Sequence, residues 1–258
     1  MKNIKVIVAT HKKYKMPKDP MYIPIHVGAE GKKLIGYITD NTGDNISKKN
    51  ASFCELTGLY WAWKNLDAQY IGLAHYRRHF KGKNKGNTPF EKALTLKEAD
   101  KLLDSADVIV TKRRNYYIEN VYSHFDHTLY IETLDAAKKI IEKDYPEYIP
   151  TFNQCMKRTY MHAFNMFIMK KEDLDKYCSW VFDILFKVED ELKDKKYNAF
   201  HSRYPGRVSE VLLDVWLTKN NYTYKEVPFI YTEKINHIKK GIGFLKAKFF
   251  KKKYEGSF

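Results

Sequence analysis

The residues best equipped for chemistry stand where a buried run meets a polar one. Tyr70 to Ala74 (YIGLA) leads directly into His75-Tyr76-Arg77-Arg78. A short apolar run of this kind reads as a buried strand. It cannot continue into these four residues without delivering an imidazole and two guanidinium groups to one rim of a sheet. Arginine forks match phosphate oxygens bidentately, and a pair of them neutralises a diphosphate. The competing reading is a surface salt-bridge strip, since paired basic residues commonly follow strands.

Three further constellations carry weaker signals. In Asp40-Asn41-Thr42-Gly43-Asp44-Asn45, two carboxylates in one turn offer oxygen ligands for a divalent cation. No Glu stands where a calcium loop requires one, so a capped turn is the preferred reading. The stretch from Arg203 through Arg207 to Glu210 precedes an apolar, helix-like run. Ser209 and Glu210 would occupy that helix's first turn, where an acid complements the dipole. Alternatively, Glu210 is a general base, with Arg203 or Arg207 on phosphate. Asp126, between His124 and His127, is a rival base. Those three side chains are also conceivable metal ligands, but the sequence does not complete the set.

The elements that must position these groups alternate between strand and helix. Ile4 to Ala9 is a β-branched opening strand ending at Thr10-His11, and Tyr22 to Val27 is a weaker one. Ser52 to Lys64 has helical spacing, with Ser47 or Asn50 as its cap. Leu96 to Ser105, Asp135 to Lys143, Glu172 to about Leu192 and Val208 to Leu217 read as helices. Val108 to Val110, Phe164 to Met169 and Tyr224 to Ile230 read as strands. This alternation predicts one mostly parallel central sheet flanked by helices. Ligands of such sheets bind outside the carboxyl ends of the strands. Thr10-His11, His75 to Arg78 and Thr111 to Arg114 are therefore the places to look.

Composition narrows the partners. The chain has 258 residues, 44% of them hydrophobic, which suffices for a sizeable core. Its 46 Lys and Arg against 31 Asp and Glu give a net charge of +15, favouring anionic partners. Much of the excess lies in a tail, residues 234 to 258. There Ile238, Ile242, Phe244, Leu245, Phe249 and Phe250 are interleaved with lysines, as in segments that lie on anionic membrane surfaces. Three dispersed cysteines form neither a disulfide framework nor a zinc pattern. There is no secretory signal and no run of the roughly 20 apolar residues that cross a bilayer. The expected location is cytoplasmic, peripheral on the inner face of the membrane.

The segments VATHKKY, PIHVGA, DNTGDNIS, ELTGLYWAWKN, GLAHYRRHF and FNMFIMKK, with the stretch from 203 to 217, resemble a bacterial family. It was first catalogued as a domain of unknown function, DUF4422, and sits among capsular and exopolysaccharide synthesis proteins. Some of its members are assigned as galactofuranosyltransferases or related hexosyltransferases. The resemblance runs from about residue 3 to about residue 232. It implies a GT-A-like single domain over residues 1 to 233, followed by the basic tail.

The resemblance also implies a UDP-sugar donor and a lipid-linked oligosaccharide acceptor. Most GT-A enzymes carry a metal-binding Asp-x-Asp where this chain has His75 to Arg78. The expectation is that cationic side chains replace the metal, with Mn²⁺ or Mg²⁺ through Asp40 and Asp44 as the alternative. Thr10, His11, Asp40, Asn41 and Asp44 would surround the nucleoside. Glu55 would project from the next helix, and Asn165 would lie on the strand that meets the sugar. Glu210 first and Asp126 second are the expected bases of an inverting transfer. Two other classes remain open at this point, a nucleic-acid-binding protein and a noncatalytic scaffold of a polysaccharide assembly; nucleic acid is the less expected partner.

Overall fold

The computed structural model describes residues 1–233, so the expected basic tail lies outside the described residues. Strand β1 (Ile4–Thr10) is buried on both faces apart from half-exposed Lys5. An apolar run without alternation forms such a strand because helices or loops cover both sides of the sheet. Beside it lie β2 (Tyr22–His26), β3 (Ile38–Thr39) and β4 (Tyr70–His75). β5 (Arg78–Phe80) folds back on β4, pairing Arg78 with His75. β6 (Val108–Thr111), β7 (Arg114–Asn115), β8 (Tyr160–Met161), β9 (Phe167–Lys170), β10 (Tyr224–Val227) and β11 (Phe229–Tyr231) follow.

The main sheet has the order β10-β6-β9-β4-β1-β2-β3, with β5 and β11 extending from β4. β1 runs parallel to β2 and β4, β2 to β3, and β6 to β10. β9 is antiparallel to both of its neighbours. This is the expected α/β, GT-A-like class, with a mostly parallel centre. At Gly72 in β4 an added Cβ would stand 2.7 Å from the Phe167 carbonyl oxygen and 2.7 Å from Ile168 Cγ1. The missing side chain lets β9 close against β4.

The helices are α1 (Asn50–Phe53), α2 (Leu56–Asn65), α3 (Leu96–Leu102), α4 (Val121–Thr128), α5 (Glu132–Asp144), α6 (Ile149–Lys157), α7 (Lys171–Glu191) and α8 (Tyr204–Lys219). Three expectations need correction. The helix read over Ser52 to Lys64 is broken at Cys54, whose φ is +50°. Asn50 donates across that break to the Cys54 carbonyl (2.7 Å) and the Thr57 hydroxyl (3.0 Å), and neither Asn50 nor Ser47 caps through its side chain. The α8 helix begins at Tyr204, with Pro205 in the first turn, where its missing N–H costs nothing. Glu210 therefore lies beyond the first turn, which holds no acid. Finally, Phe164 and Asn165 form a turn rather than strand, with φ of +80° and +54°.

The chain divides into two compact units. The first comprises Met1–Lys112, Phe164–Ser179 and Asn221–Glu233 and contains the main sheet. Its core on one sheet face includes Val6, Val8, Tyr22, Phe80, Ile109 and Ile168, and the Tyr22 hydroxyl donates to the Leu94 carbonyl at 2.9 Å. The second unit comprises Arg113–Ala163 and Trp180–Asn220 among the described residues, with α4, α5, α6 and α8 packed together beside the β7–β8 ribbon.

Candidate active site

In the first unit the chain runs from β1 outward to β2 and β3, then returns so that β4 lies on the other side of β1. The carboxyl ends of β1 and β4 thus flank the point where strand order reverses, which in open α/β sheets is a ligand crevice. Register fixes what stands there: Thr10 pairs with His26 of β2, and Ala9 with His75 of β4. Buried Thr10 shapes the exit from β1. Its hydroxyl donates to the Lys12 carbonyl at 2.7 Å and accepts from the Lys12 amide at 3.3 Å.

That turn sets aromatic and cationic groups around buried Tyr76. Tyr14 and His11 meet its ring edge-on, with centroids at 5.1 and 5.2 Å. The Lys12 ammonium lies 5.1 Å and the Arg77 guanidinium 5.5 Å from the same ring. Arg78 stands over the Phe164 ring at 4.4 Å and near Tyr231 at 5.5 Å. Its buried Nε has no hydrogen-bond partner among the described residues. Aromatic faces hold a guanidinium in place while its remaining N–H groups stay available.

His75 plays a different part from the expected one. Its Nε2 donates to the Phe164 carbonyl at 2.6 Å. Burial lowers its pKa, Arg78 and Arg77 lower it further, and Glu55 acts in the opposite sense. Its Nε2 thereby braces the Phe164–Asn165 turn, and the lowered pKa disfavours the cation expected at a phosphate. Asn165, almost wholly buried, donates from Nδ2 to Glu55 Oε1 at 2.9 Å. Two successive non-glycine residues at positive φ cost about 1–3 kcal/mol each, and such strain concentrates at functional sites. Here it is held by His75 on one side and Glu55 on the other.

The Asp40 loop lies beside the end of β2. Asp40 is fully buried and accepts from the Gly28 amide (2.7 Å), the Ala29 amide (3.0 Å), the Ser47 hydroxyl (2.5 Å) and the Thr57 hydroxyl (2.6 Å). Asp44 takes the Tyr60 hydroxyl at 3.2 Å and Lys64 at 3.9 Å, and Asn45 accepts from the Ser47 amide at 3.1 Å. Asn41 donates to Glu30 at 3.3 Å. The turn is thus built as a capped turn around one buried carboxylate. A cation at Asp40 would have to displace four donors.

The remaining predicted residues belong to the second unit. Arg207 donates to the Phe200 carbonyl at 3.1 Å and lies 3.9 Å over its ring. Arg203 is the residue preceding α8, and Glu210 is half-buried on that helix. Asp126 is exposed on α4. The suggested ligand set of His124, Asp126 and His127 is corrected. Both imidazoles turn Nδ1 onto Glu119, at 3.0 and 2.7 Å, and no metal-binding group of three is formed among the described residues. His124 is stacked on Tyr116 at 4.0 Å, and burial pushes its pKa down to about 4. Sequence reading missed Glu119, which nothing in its neighbourhood marks as buried. It also missed the buried pair His162 and Asp214, in which the carboxylate accepts from the His162 amide at 2.8 Å and from Nδ1. The two residues lie far apart in the chain.

Residues 5–221 match the family model described as Domain of unknown function (DUF4422), and the chain belongs to that family. Among solved structures it is similar to the apo structure of WbbM, a bifunctional glycosyltransferase, at 28% identity and a TM-score of 0.82. The similarity covers 90% of this chain and 46% of that one, so the chain spans about half the length of WbbM. No curated protein matches. No helix among the described residues is long and apolar enough to cross a membrane.

Proposed function

We propose that the chain is a glycosyltransferase that moves a hexosyl group, galactofuranosyl or galactosyl, from a UDP-sugar to a lipid-linked polysaccharide intermediate. The observation that carries this is the rim at the β1–β4 switch point, where Arg77 and Arg78 flank an aromatic floor. Similarity to WbbM, a bifunctional glycosyltransferase, supports the same reading. Thr10, His11 and Asn41 would meet the nucleoside, with Asp40 acting through the loop it holds. Arg77 and Arg78 would bind the diphosphate. Glu55 and Asn165 would set the floor beneath the sugar.

The reaction is a single displacement. The acceptor oxygen bonds to the anomeric carbon as the bond from that carbon to the UDP oxygen breaks. The hydroxyl proton has to pass to a carboxylate, for which Glu210 first and Asp126 second are the candidates, and the arginines would stabilise the leaving diphosphate. Arg203 and Arg207 are further cations of the unit that carries Glu210. With guanidinium groups in the role of a metal, transfer should proceed in EDTA. Complete loss of activity in EDTA, restored by Mn²⁺, would refute the metal-free mechanism. Glu210→Gln should abolish transfer and spare UDP binding, whereas Arg78→Ala should weaken UDP binding and leave the fold intact. The lysine-rich tail would place the enzyme on anionic membrane, which vesicle co-sedimentation with and without residues 234–258 tests.

A further inference from the structure

At the same rim, three groups from two loops converge on one carboxylate of the chain itself. The Tyr14 hydroxyl donates to Glu233 Oε1 at 3.1 Å. Lys12 Nζ stands 3.7 Å from Oε1, and Arg77 stands 4.0 Å from Oε2. Glu233 is delivered there by its neighbour. The Thr232 amide donates to the Arg77 carbonyl at 3.1 Å, and its hydroxyl to the Tyr76 carbonyl at 3.0 Å. The segment after β11 is thereby tied to the β4–β5 turn, which also carries Arg77.

We infer that Lys12, Tyr14 and Arg77 form an anion cradle for a phosphate group of the donor, and that Glu233 is a tethered stand-in which the phosphate displaces. This rests on the reading of the chain as a nucleotide-sugar enzyme and adds Lys12, Tyr14 and Glu233 to its donor site. The chemistry of the cradle suits phosphate: an ammonium, a guanidinium and a phenolic donor present four or more N–H and O–H groups to one point. The way Glu233 is held suits displacement. Both cations lie beyond ordinary hydrogen-bond distance from it, and their side chains stay 48% and 41% exposed. Ion pairs of that kind contribute little and are screened by salt. A phosphate can approach closer, take bidentate contact from Arg77 and still accept from Tyr14. Tyr76 holds both cations by its ring, at 5.1 and 5.5 Å, so they remain in place while the carboxylate leaves.

The test is a titration of the full chain with UDP and, separately, with inorganic pyrophosphate. Glu233→Gln is compared with wild type and with Glu172→Gln, which removes an exposed acid paired with Lys170 at 2.9 Å. Removing the stand-in should tighten both ligands by about 3- to 10-fold, in line with the modest strength of exposed ion pairs. Glu172→Gln should leave both affinities unchanged, and Lys12→Met should weaken both. Unchanged or weaker binding in Glu233→Gln, or no binding of either probe by any variant, overturns the cradle. If pyrophosphate tightens but UDP binds no better than pyrophosphate, the cradle stands and the nucleotide-donor reading fails.

Discussion

Replacing Asp40 with Asn separates two roles that its position allows, contact with the nucleoside and support of the loop. The side chain is fully buried and accepts four hydrogen bonds. Asparagine keeps one oxygen but turns an amide donor toward groups that are themselves donors. The Thr57 hydroxyl has a second acceptor, the Cys54 carbonyl at 3.1 Å, and the Ser47 hydroxyl can rotate. The Gly28 and Ala29 amides cannot turn away. A buried donor left without an acceptor costs about 1–3 kcal/mol, so one lost amide bond and one donor–donor clash give about 2–4 kcal/mol. In a chain of this size that corresponds to a fall in Tm of roughly 4–16 °C. Thermal melting followed by circular dichroism measures it, and a UDP titration well below the transition measures the other role. The support role predicts a lowered Tm with UDP affinity within about 3-fold of wild type. An unchanged Tm together with lost UDP binding would show that Asp40 acts by touching the ligand, and the reasoning from its hydrogen bonds would be wrong.

Three other perturbations follow from buried groups. His79 is fully buried between Tyr22 and Phe90, and neither ring nitrogen has a partner among the described residues. Burial lowers its pKa from 6.5 to about 4, so the unfolded chain takes up a proton before the folded chain does as pH falls through that window. Stability is therefore full above pH 6.5 and declines by about 3 kcal/mol on the way to pH 4; His79→Phe should flatten part of that decline, leaving the share of His124, and raise stability near neutral pH by about 1–2 kcal/mol. Urea midpoints at pH 5 and 7.5 check both. Gly72→Ala places a Cβ 2.7 Å from the Phe167 carbonyl oxygen, so β4 and β9 must separate, at a cost of about 1–3 kcal/mol in urea denaturation. Glu119→Gln presents an amide to one of two imidazoles that now share a carboxylate; a loss of about 1–3 kcal/mol by urea denaturation and a changed Nδ1 resonance of His127 in nitrogen NMR are expected.

What the sequence discloses about this site depends on the range of the interaction that makes it. Strands β1 and β4 are legible because burial on both faces demands an unbroken apolar run, and the first polar residues after each run mark its rim. That reasoning places Thr10 at the end of β1, His11 just past it, and Arg77–Arg78 just past the end of β4. It fails at Phe164 and Asn165, which read as strand but form a left-handed turn. The bonds that hold the turn come from Glu55 and His75, distant in sequence and invisible to periodicity. The Asp40 turn shows the same division. Its turn-forming composition is local, whereas the burial of Asp40 is decided by amides and hydroxyls brought in from the loop after β2, Ser47 and α2. Charge follows suit. A sequence counts His75 among basic residues, but burial beside two guanidinium groups lowers its pKa, and its Nε2 is engaged by the Phe164 carbonyl. The cationic share of the rim then passes to Arg77, Arg78 and Lys12, all held by aromatic rings. Binding of a diphosphate there should accordingly stay nearly constant across the pH range in which a histidine ligand would titrate, from about 5.5 to 7.5, beyond what the phosphate's own ionisation contributes.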